Sequence, residues 1–156
     1  MIFSNRFVFH SVPKTGTSSV QYLMLNKIPS ASRNRFEVNG LVFMTAEHPF
    51  RGLLVTLRKV LPDVPIVSVY RSDLCRLSSA YKFYRYGRAS EEYLKLSPLS
   101  HINVRLAKIL PFSIWCFFVG IIPNKFYFND AVITVSYNKF SLLNDIQNVI
   151  YNLTGL

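Results

Sequence analysis

Residues 11–19 (SVPKTGTSS) combine a lysine, a glycine and several hydroxyl side chains in one short segment. The segment follows an apolar run and precedes a stretch with helical character, so its N–H groups would lie at a helix start, where the helix dipole favours an anion. Lys14 adds a full positive charge, and Gly16 lets the backbone approach a ligand closely. Residues 17–19 can donate hydroxyl hydrogen bonds to phosphate oxygens. The segment is therefore a candidate phosphate-binding loop.

The same segment is also compatible with a plainer interpretation. Pro-Lys-Thr-Gly can form an ordinary turn, with Thr17 as the N-cap of the helix that follows. The segment is not a Walker A motif, because that motif needs an earlier glycine and ends in Gly-Lys-Ser/Thr, whereas Lys14 precedes the only glycine here. Hydrolysis of a nucleoside triphosphate is therefore disfavoured.

A second pair of residues could bind another phosphate. Arg71 follows the apolar run IVSVY, and a guanidinium at the carboxyl end of a strand can fork onto a phosphate. Ser79 follows eight residues later, about two helical turns on, and can add a hydroxyl from the same side of a helix. Taken singly, Arg71 could instead form a surface salt bridge, and Ser79 could be an ordinary helix-surface residue.

Both segments resemble those of the cytosolic and Golgi-type sulfotransferase superfamily. FVFHSVPKTGTSS is similar to its 5′-phosphosulfate loop, and VPIVSVYRSDLCRLSSAYKFY is similar to its 3′-phosphate segment, although Ser72-Asp73 stands where the family usually has Asp-Pro. The resemblance implies 3′-phosphoadenosine 5′-phosphosulfate as co-substrate, no metal, and transfer of a sulfuryl group to a hydroxyl. Likeness to the carbohydrate 2-O-sulfotransferases favours a glycan acceptor. The implied cofactor contacts are Lys14, Thr15, Gly16, Thr17, Ser18, Ser19, Arg71 and Ser79.

Sulfuryl transfer needs a base for the acceptor hydroxyl and a cation beside the leaving phosphate. Lys14 suits the second role. His48 follows an apolar run, and an ordinary imidazole can exchange a proton near neutral pH, so we predict that His48 is the base, with the adjacent Glu47 as the alternative. His48 could instead simply hydrogen-bond at a loop edge. His10 and His101 are weaker candidates for the base.

Alternating strand and helix patterns must position these residues. The order predicts a single α/β domain over residues 1–156, with a P-loop-like three-layer fold and a short, largely parallel sheet flanked by helices. Residues 29–40 are predicted to be a polar connection, and residues 87–125 show the weakest pattern. The predicted strands are 6–10, 41–45, 66–70 and 131–136, and the main predicted helices are 17–27, 50–61, 73–86 and 140–153, with Asp73 as a candidate cap.

The formal charge of +10 indicates an anionic partner, because 18 Lys and Arg face only 8 Asp and Glu. Two other functions stay open: an ATP-dependent P-loop phosphotransferase, and a non-catalytic module that binds polyanions. The aromatic segment 81–86 could stack on a base, but its spacing favours core packing of Tyr81 and Tyr84 with the cations in solvent. No specific nucleic acid is expected.

The remaining features predict a soluble, cytoplasmic protein of undetermined oligomeric state. Cys75 and Cys116 lack the spacing of a disulfide framework or a zinc site. The N-terminal residues do not have the pattern of a signal peptide. The stretch from Ile109 to Ile122 is apolar but is broken by Pro111 and is shorter than a bilayer span, so at most it predicts contact with a membrane surface.

Overall fold

A computed structural model describes residues 1–38, 40–45, 48, 51–86, 98–119, 123–128 and 132–154. The chain divides into two compact units. The first combines Met1–Arg71 with Asn124–Leu156, and the second is Ser72–Pro123. The single domain expected from the sequence stays a prediction.

The described residues form seven strands and six helices, together with a 3₁₀ turn at Asn124–Phe126. Among the described helices, none is long and apolar enough to cross a membrane. In chain order the elements are β1 (Ile2–Phe3), β2 (Val8–His10), α1 (Thr17–Lys27), β3 (Ser32–Arg33), β4 (Arg35–Val38), β5 (Leu41–Met44), α2 (Arg51–Val60), β6 (Ile66–Tyr70), α3 (Asp73–Tyr86), α4 (Pro98–Ile109), α5 (Phe112–Phe118), β7 (Val132–Ser136) and α6 (Leu142–Thr154).

The first unit contains a five-stranded mixed sheet in the order β3-β1-β2-β6-β7. Strands β2, β6 and β7 are parallel neighbours, whereas β1 runs antiparallel to both β2 and β3. The α/β class is therefore as predicted, and the sheet is a mixed one that contains three parallel strands. The sequence pattern missed β1 and β3 because a two-residue strand is too short to show an alternation of apolar and polar side chains.

Helices cover both faces of this sheet, because successive side chains of a strand point to opposite faces. Phe7 and Phe9 pack on one side with α1 and α6. Val8 packs on the other side with α2. The central strand β6 is buried along four of its five residues, as expected for a strand covered on both faces. The fully buried residues of the two layers include Ile2, Val20, Val67, Val69 and Ile146 on the first side and Met1, Leu54 and Val8 on the second.

The predicted strand at residues 41–45 is present as β5, but its predicted burial is wrong. β5 pairs with β4 in a separate two-stranded hairpin, closed by Gly40 at a φ of 76°. Within β5 only Phe43 is half-buried, stacking on Phe36 at 4.9 Å between ring centroids, while its neighbours are exposed. A short apolar run has no period that distinguishes a core strand from a hairpin edge. Residues 29–40 are likewise not a simple connection, since they contain β3 and β4.

The second unit packs α3, α4 and α5 around an aromatic cluster. Tyr81 and Tyr84 both contact Trp115, at 5.3 and 6.2 Å between ring centroids, so their predicted core packing is confirmed. Arg85 is not solvated as predicted: it donates hydrogen bonds to the carbonyls of Ala107 and Leu110 at 3.1 and 3.0 Å. These carbonyls belong to the last turn of α4, where a cation is favoured.

The start of α3 differs from the prediction by one residue. Asp73 is the first helical residue rather than the cap. Ser72 takes that place, because its hydroxyl oxygen accepts the Cys75 N–H at 3.3 Å and its carbonyl accepts the Arg76 N–H at 2.9 Å. Asp73 instead pairs with the fully buried Arg76 at 3.1 Å.

Candidate functional site

Three parallel strands of the first unit end at the same edge of its sheet. The register pairs His10 with Ser68 and Tyr70 with Ser136, so the chain leaves β2, β6 and β7 on one side. The residues that follow are those of the candidate loop, then Arg71, and then Tyr137. In open α/β sheets, ligands bind beyond the carboxyl ends of the strands.

The candidate loop is shaped by two residues with positive φ. Lys14 has a φ of 63° and Gly16 a φ of 80°. A Cβ on Gly16 would lie 2.9 Å from Leu142 Cδ2 and 3.1 Å from Tyr137 Cε2. The positive φ therefore favours glycine at this position, and the close packing of Leu142 and Tyr137 adds to that preference. The N-cap of α1 is Gly16, so the prediction of Thr17 as the cap is wrong, whereas the ordinary turn itself stays open as an interpretation of the segment.

Internal hydrogen bonds hold the loop in place. The fully buried Thr15 donates its hydroxyl to the carbonyl of Val12 at 2.9 Å. Gln21 donates its side-chain amide to the hydroxyl of Ser11 at 2.6 Å. The Thr15 hydroxyl therefore stabilises the loop itself, and what Thr15 can offer a ligand is its backbone. Buried polar groups with satisfied partners fix one conformation.

The first turn of α1 faces outward. Val20 is the first residue whose N–H returns to Gly16, at 3.4 Å, so the N–H groups of residues 17–19 precede the helical ladder. Thr17 is buried, whereas Ser18 and Ser19 are exposed. The two serines line one end of a groove of about 530 Å³ that follows α1 as far as Lys27. Uncapped N–H groups and two accessible hydroxyls thus meet at the positive end of the α1 dipole.

Lys14 carries the charge of the loop in a half-buried position. Burial lowers the pKa of its amine from 10.5 to about 8. Its backbone carbonyl accepts a hydrogen bond from Arg71 Nη1 at 3.1 Å. Two cationic residues from neighbouring strand ends therefore meet at the loop.

Arg71 is held by contacts on several sides. Its guanidinium carbon lies 4.3 Å from the centroid of the Tyr137 ring, and its backbone carbonyl accepts the Asn124 side-chain amide at 2.8 Å. Its Nε is buried and has no hydrogen-bond partner in the part of the chain that the structure describes. Stacking on an aromatic ring fixes the plane of a guanidinium, and that plane sets the direction of its donors.

Tyr137 and Asn124 are parts of this site that the sequence did not reveal. Tyr137 contacts both Gly16 and Arg71, and its N–H donates to the carbonyl of Tyr70 at 2.7 Å. Its position in the sequence could have indicated it. Tyr137 directly follows the predicted strand AVITVS, just as Arg71 directly follows IVSVY. Asn124 has no such signal, since its contact is made across a long separation in sequence.

His48 lies against the first residue of the loop. Its Nδ1 is 3.0 Å from the Ser11 carbonyl oxygen. A carbonyl oxygen only accepts, so Nδ1 carries the hydrogen, and in the neutral ring the basic lone pair is then on Nε2. This contact matches the predicted loop-edge hydrogen bond and is also compatible with a base. The alternative, Glu47, lies outside the described residues.

Of the other predicted residues, His10 ends β2 directly before the loop, whereas His101 and Ser79 belong to the second unit. His10 is fully buried, 6.4 and 6.1 Å from the rings of Tyr127 and Phe128 between centroids. His101 lies half-buried on α4, and Ser79 lies half-buried on α3. The pairing of Ser79 with Arg71 stays a prediction.

The sheet edge thus brings together the loop with Lys14 and Gly16, the guanidinium of Arg71, the ring of Tyr137 and the imidazole of His48. No protein-family model, curated protein or solved structure matches the chain. The chemistry that this edge can support is the basis for assigning a function.

Proposed function

We propose that this protein is a sulfotransferase with a P-loop-like fold, which moves a sulfuryl group from 3′-phosphoadenosine 5′-phosphosulfate to a hydroxyl, with a glycan as the expected acceptor. The observation that carries the proposal is the hydrogen bond from Arg71 to the Lys14 carbonyl. It joins the guanidinium of Arg71 to the backbone of the loop that carries Lys14, just before the positive end of α1. A nucleotide with phosphates at its 5′ and 3′ positions needs two cationic contacts.

The loop is suited to the 5′ side of the donor. The N–H groups of residues 17–19 and the hydroxyls of Ser18 and Ser19 supply hydrogen-bond donors, and the Lys14 amine supplies the charge. This combination of strand, glycine-containing turn and helix supports the P-loop-like fold, although the spacing is not that of Walker A.

Arg71 is suited to the 3′-phosphate. A guanidinium has five N–H donors, and one of them is bonded to the Lys14 carbonyl. The Tyr137 ring holds the guanidinium plane, so the group is oriented before the nucleotide arrives. The resemblance to the sulfotransferase superfamily implies that Ser79 is a second contact to the same phosphate.

The reaction itself is an in-line displacement at sulfur. The acceptor oxygen forms a new bond to the sulfur while the bond from sulfur to the bridging phosphate oxygen breaks, and adenosine 3′,5′-bisphosphate leaves. Lys14 stabilises the charge that builds on the leaving phosphate. His48 Nε2 takes the proton of the acceptor hydroxyl, while the hydrogen bond from Nδ1 to Ser11 holds the ring.

Nucleotide preference tests the proposal against its two rivals. We expect calorimetric titration to show binding of adenosine 3′,5′-bisphosphate without magnesium, and labelled sulfate to move from the donor to a glycan acceptor. Selective, magnesium-dependent binding of ATP would support a phosphotransferase instead. Binding of heparin-like chains with steep salt dependence, without bisphosphate binding, would support the polyanion module.

Substitutions of Arg71 and Tyr137 should weaken binding of the 3′-phosphate. Arg71→Lys keeps the charge but loses the paired N–H groups that bind a phosphate and the contact with the Tyr137 ring. We therefore expect bisphosphate affinity to fall about 10- to 100-fold. Tyr137→Leu should lower it about 3- to 10-fold through the lost cation–π contact. Isothermal titration calorimetry with the bisphosphate measures both effects.

The control for this prediction is a ligand without the 3′-phosphate. Affinity for adenosine 5′-monophosphate should change little in Arg71→Lys, and Arg51→Lys, at an exposed position on α2, should leave both affinities unchanged. Equal losses for the two nucleotides would show that Arg71 supports the loop rather than binding the 3′-phosphate.

Bisphosphate affinity should also depend on pH through Lys14. The amine is charged below its pKa of about 8, so the cation is present at pH 7 and is lost as the pH rises. Above pH 8 the dissociation constant should rise by up to about tenfold per pH unit, since only the charged form attracts phosphate. Lys14→Arg should abolish this dependence because an arginine stays charged. A flat wild-type profile from pH 7 to pH 9.5 would contradict the role assigned to the amine.

A further inference from the structure

Helix α5 exposes large apolar side chains on the side that faces away from its core. The sequence FSIWCFF is apolar around nearly its whole circumference. Trp115 is fully buried in the aromatic cluster of the second unit, whereas Phe117 is 89 % exposed, Phe118 69 % and Ile114 44 %. A helix that is apolar on all sides normally has a partner on each of them. We call Ile114, Phe117 and Phe118 the outer face of α5.

Helix α4, which precedes it, has an exposed side that mixes apolar residues with cations. Ile102 is 52 % and Ile109 76 % exposed. Arg105 lies between them at helical spacing, and both it and Lys108 are exposed. The helix sequence PLSHINVRLAKI contains no acidic residue, and neither does that of α5. Within these two helices the charged side chains are therefore all cations.

We propose that α4 and α5 dock the second unit onto an anionic lipid bilayer. The outer face of α5 and Ile109 enter the boundary between headgroups and acyl chains, while Arg105 and Lys108 contact the lipid phosphates. Apolar residues next to cations are the composition of surface-binding helices. This inference concerns a surface separate from the nucleotide site and does not depend on the proposed sulfotransferase activity.

Charge favours the lipid surface over a second copy of the chain. A symmetric dimer through α4 and α5 would bring two sets of Arg105 and Lys108 together, and like charges across an interface oppose association. A bilayer with anionic lipids presents the opposite charge to a chain of net charge +10. The helices are also of a length to lie on the surface, since 12 and 7 residues extend about 18 and 10 Å.

Vesicle co-sedimentation tests the apolar part. The wild-type protein should bind vesicles of phosphatidylcholine with phosphatidylserine, and bind pure phosphatidylcholine vesicles far less. Phe117→Ser combined with Phe118→Ser should lower the partition coefficient at least about tenfold, because two exposed aromatic side chains lose their burial in lipid. The matched control is Phe140→Ser, since Phe140 is 92 % exposed in the first unit and should leave binding unchanged.

The same assay tests the charged part. Arg105→Gln with Lys108→Gln should lower binding to the anionic vesicles by about fivefold per cation. Arg51→Gln with Lys59→Gln removes two exposed cations from α2 and should have a much smaller effect. Raised salt should weaken vesicle binding by the wild type, because it screens the cations. It should weaken binding by the Arg105/Lys108 variant much less, because that variant lacks the two charges.

Two controls separate a lost surface from a lost fold or a lost activity. The variants should keep the far-ultraviolet circular dichroism and melting temperature of the wild type, because all four substituted side chains are exposed. Their affinity for adenosine 3′,5′-bisphosphate should be that of the wild type, whatever its value. Equal binding to neutral and anionic vesicles, an equal loss in Phe140→Ser, or a dimer that dissociates in the Phe117/Phe118 variant would overturn the proposal.

Discussion

Lys14→Met is expected to lower the rate of sulfuryl transfer by a factor of about 10³, because it removes the cation beside the leaving phosphate. The side chain of methionine fills similar space, so the fold should persist. Lys14 sits in a half-buried loop where burial already lowers its pKa, and a charge in such a place interacts more strongly than one in bulk water. Transfer of labelled sulfate at saturating donor measures the loss.

A second variant tests whether transfer needs the Lys14 charge at its exact position or needs only a positive charge in the loop. Lys14→Arg should retain bisphosphate binding but recover little transfer, since a guanidinium places its charge differently. Lys59→Met is the matched control, because Lys59 is exposed in the last turn of α2 and the variant should keep full activity. Wild-type transfer by Lys14→Met would show that the loop does not stabilise the leaving group.

His48→Ala is expected to lower kcat for transfer by about 10²- to 10³-fold, through loss of the base. Bisphosphate affinity should change little, because the acceptor side and not the nucleotide is affected. The acid limb of the pH profile of kcat should disappear, since it reports the essential base in the complex. His101→Ala, on α4, is the matched control and should leave kcat unchanged.

The hydrogen bond from His48 to the Ser11 carbonyl is also compatible with a purely structural role for His48. The two roles predict different nucleotide affinities and pH profiles for the alanine variant. If His48 only supports the loop, its alanine variant should lose bisphosphate affinity and keep the shape of the pH profile. Added imidazole should restore part of the rate only if a base is missing. Full loss in Glu47→Gln with wild-type kcat in His48→Ala would assign the base to Glu47.

The main elements could be predicted because their apolar patterns are strong. The runs that form β2, β6 and β7 are short, rich in β-branched or aromatic residues and bounded by turn residues, and α1, α2 and α6 end close to their predicted limits. The hairpin of β4 and β5 was missed, although Asn39-Gly40 between the runs RFEV and LVFM is a hairpin signal in the sequence. Its packing on the first unit, such as Phe3 on Phe36 at 4.5 Å between centroids, could not be predicted from the sequence.

The parts of the candidate site that could be predicted are those that a single short segment of sequence identifies. Lys14 and Gly16 share a loop, and Arg71 follows a recognisable strand. Tyr137 and Asn124 were not found, since their contacts with Arg71 join positions more than 50 residues apart or depend on packing across strand ends. The hydrogen bond from the Thr15 hydroxyl to the Val12 carbonyl could not be predicted either, because a sequence motif gives residue types and not the directions of side chains.

A crystal structure with adenosine 3′,5′-bisphosphate tests the central claim most directly. The account predicts the 5′-phosphate at the N–H groups of residues 17–19 beside Lys14, and the 3′-phosphate on the guanidinium of Arg71, above the Tyr137 ring. A nucleotide bound elsewhere, or with its 3′-phosphate turned away from Arg71, would contradict it.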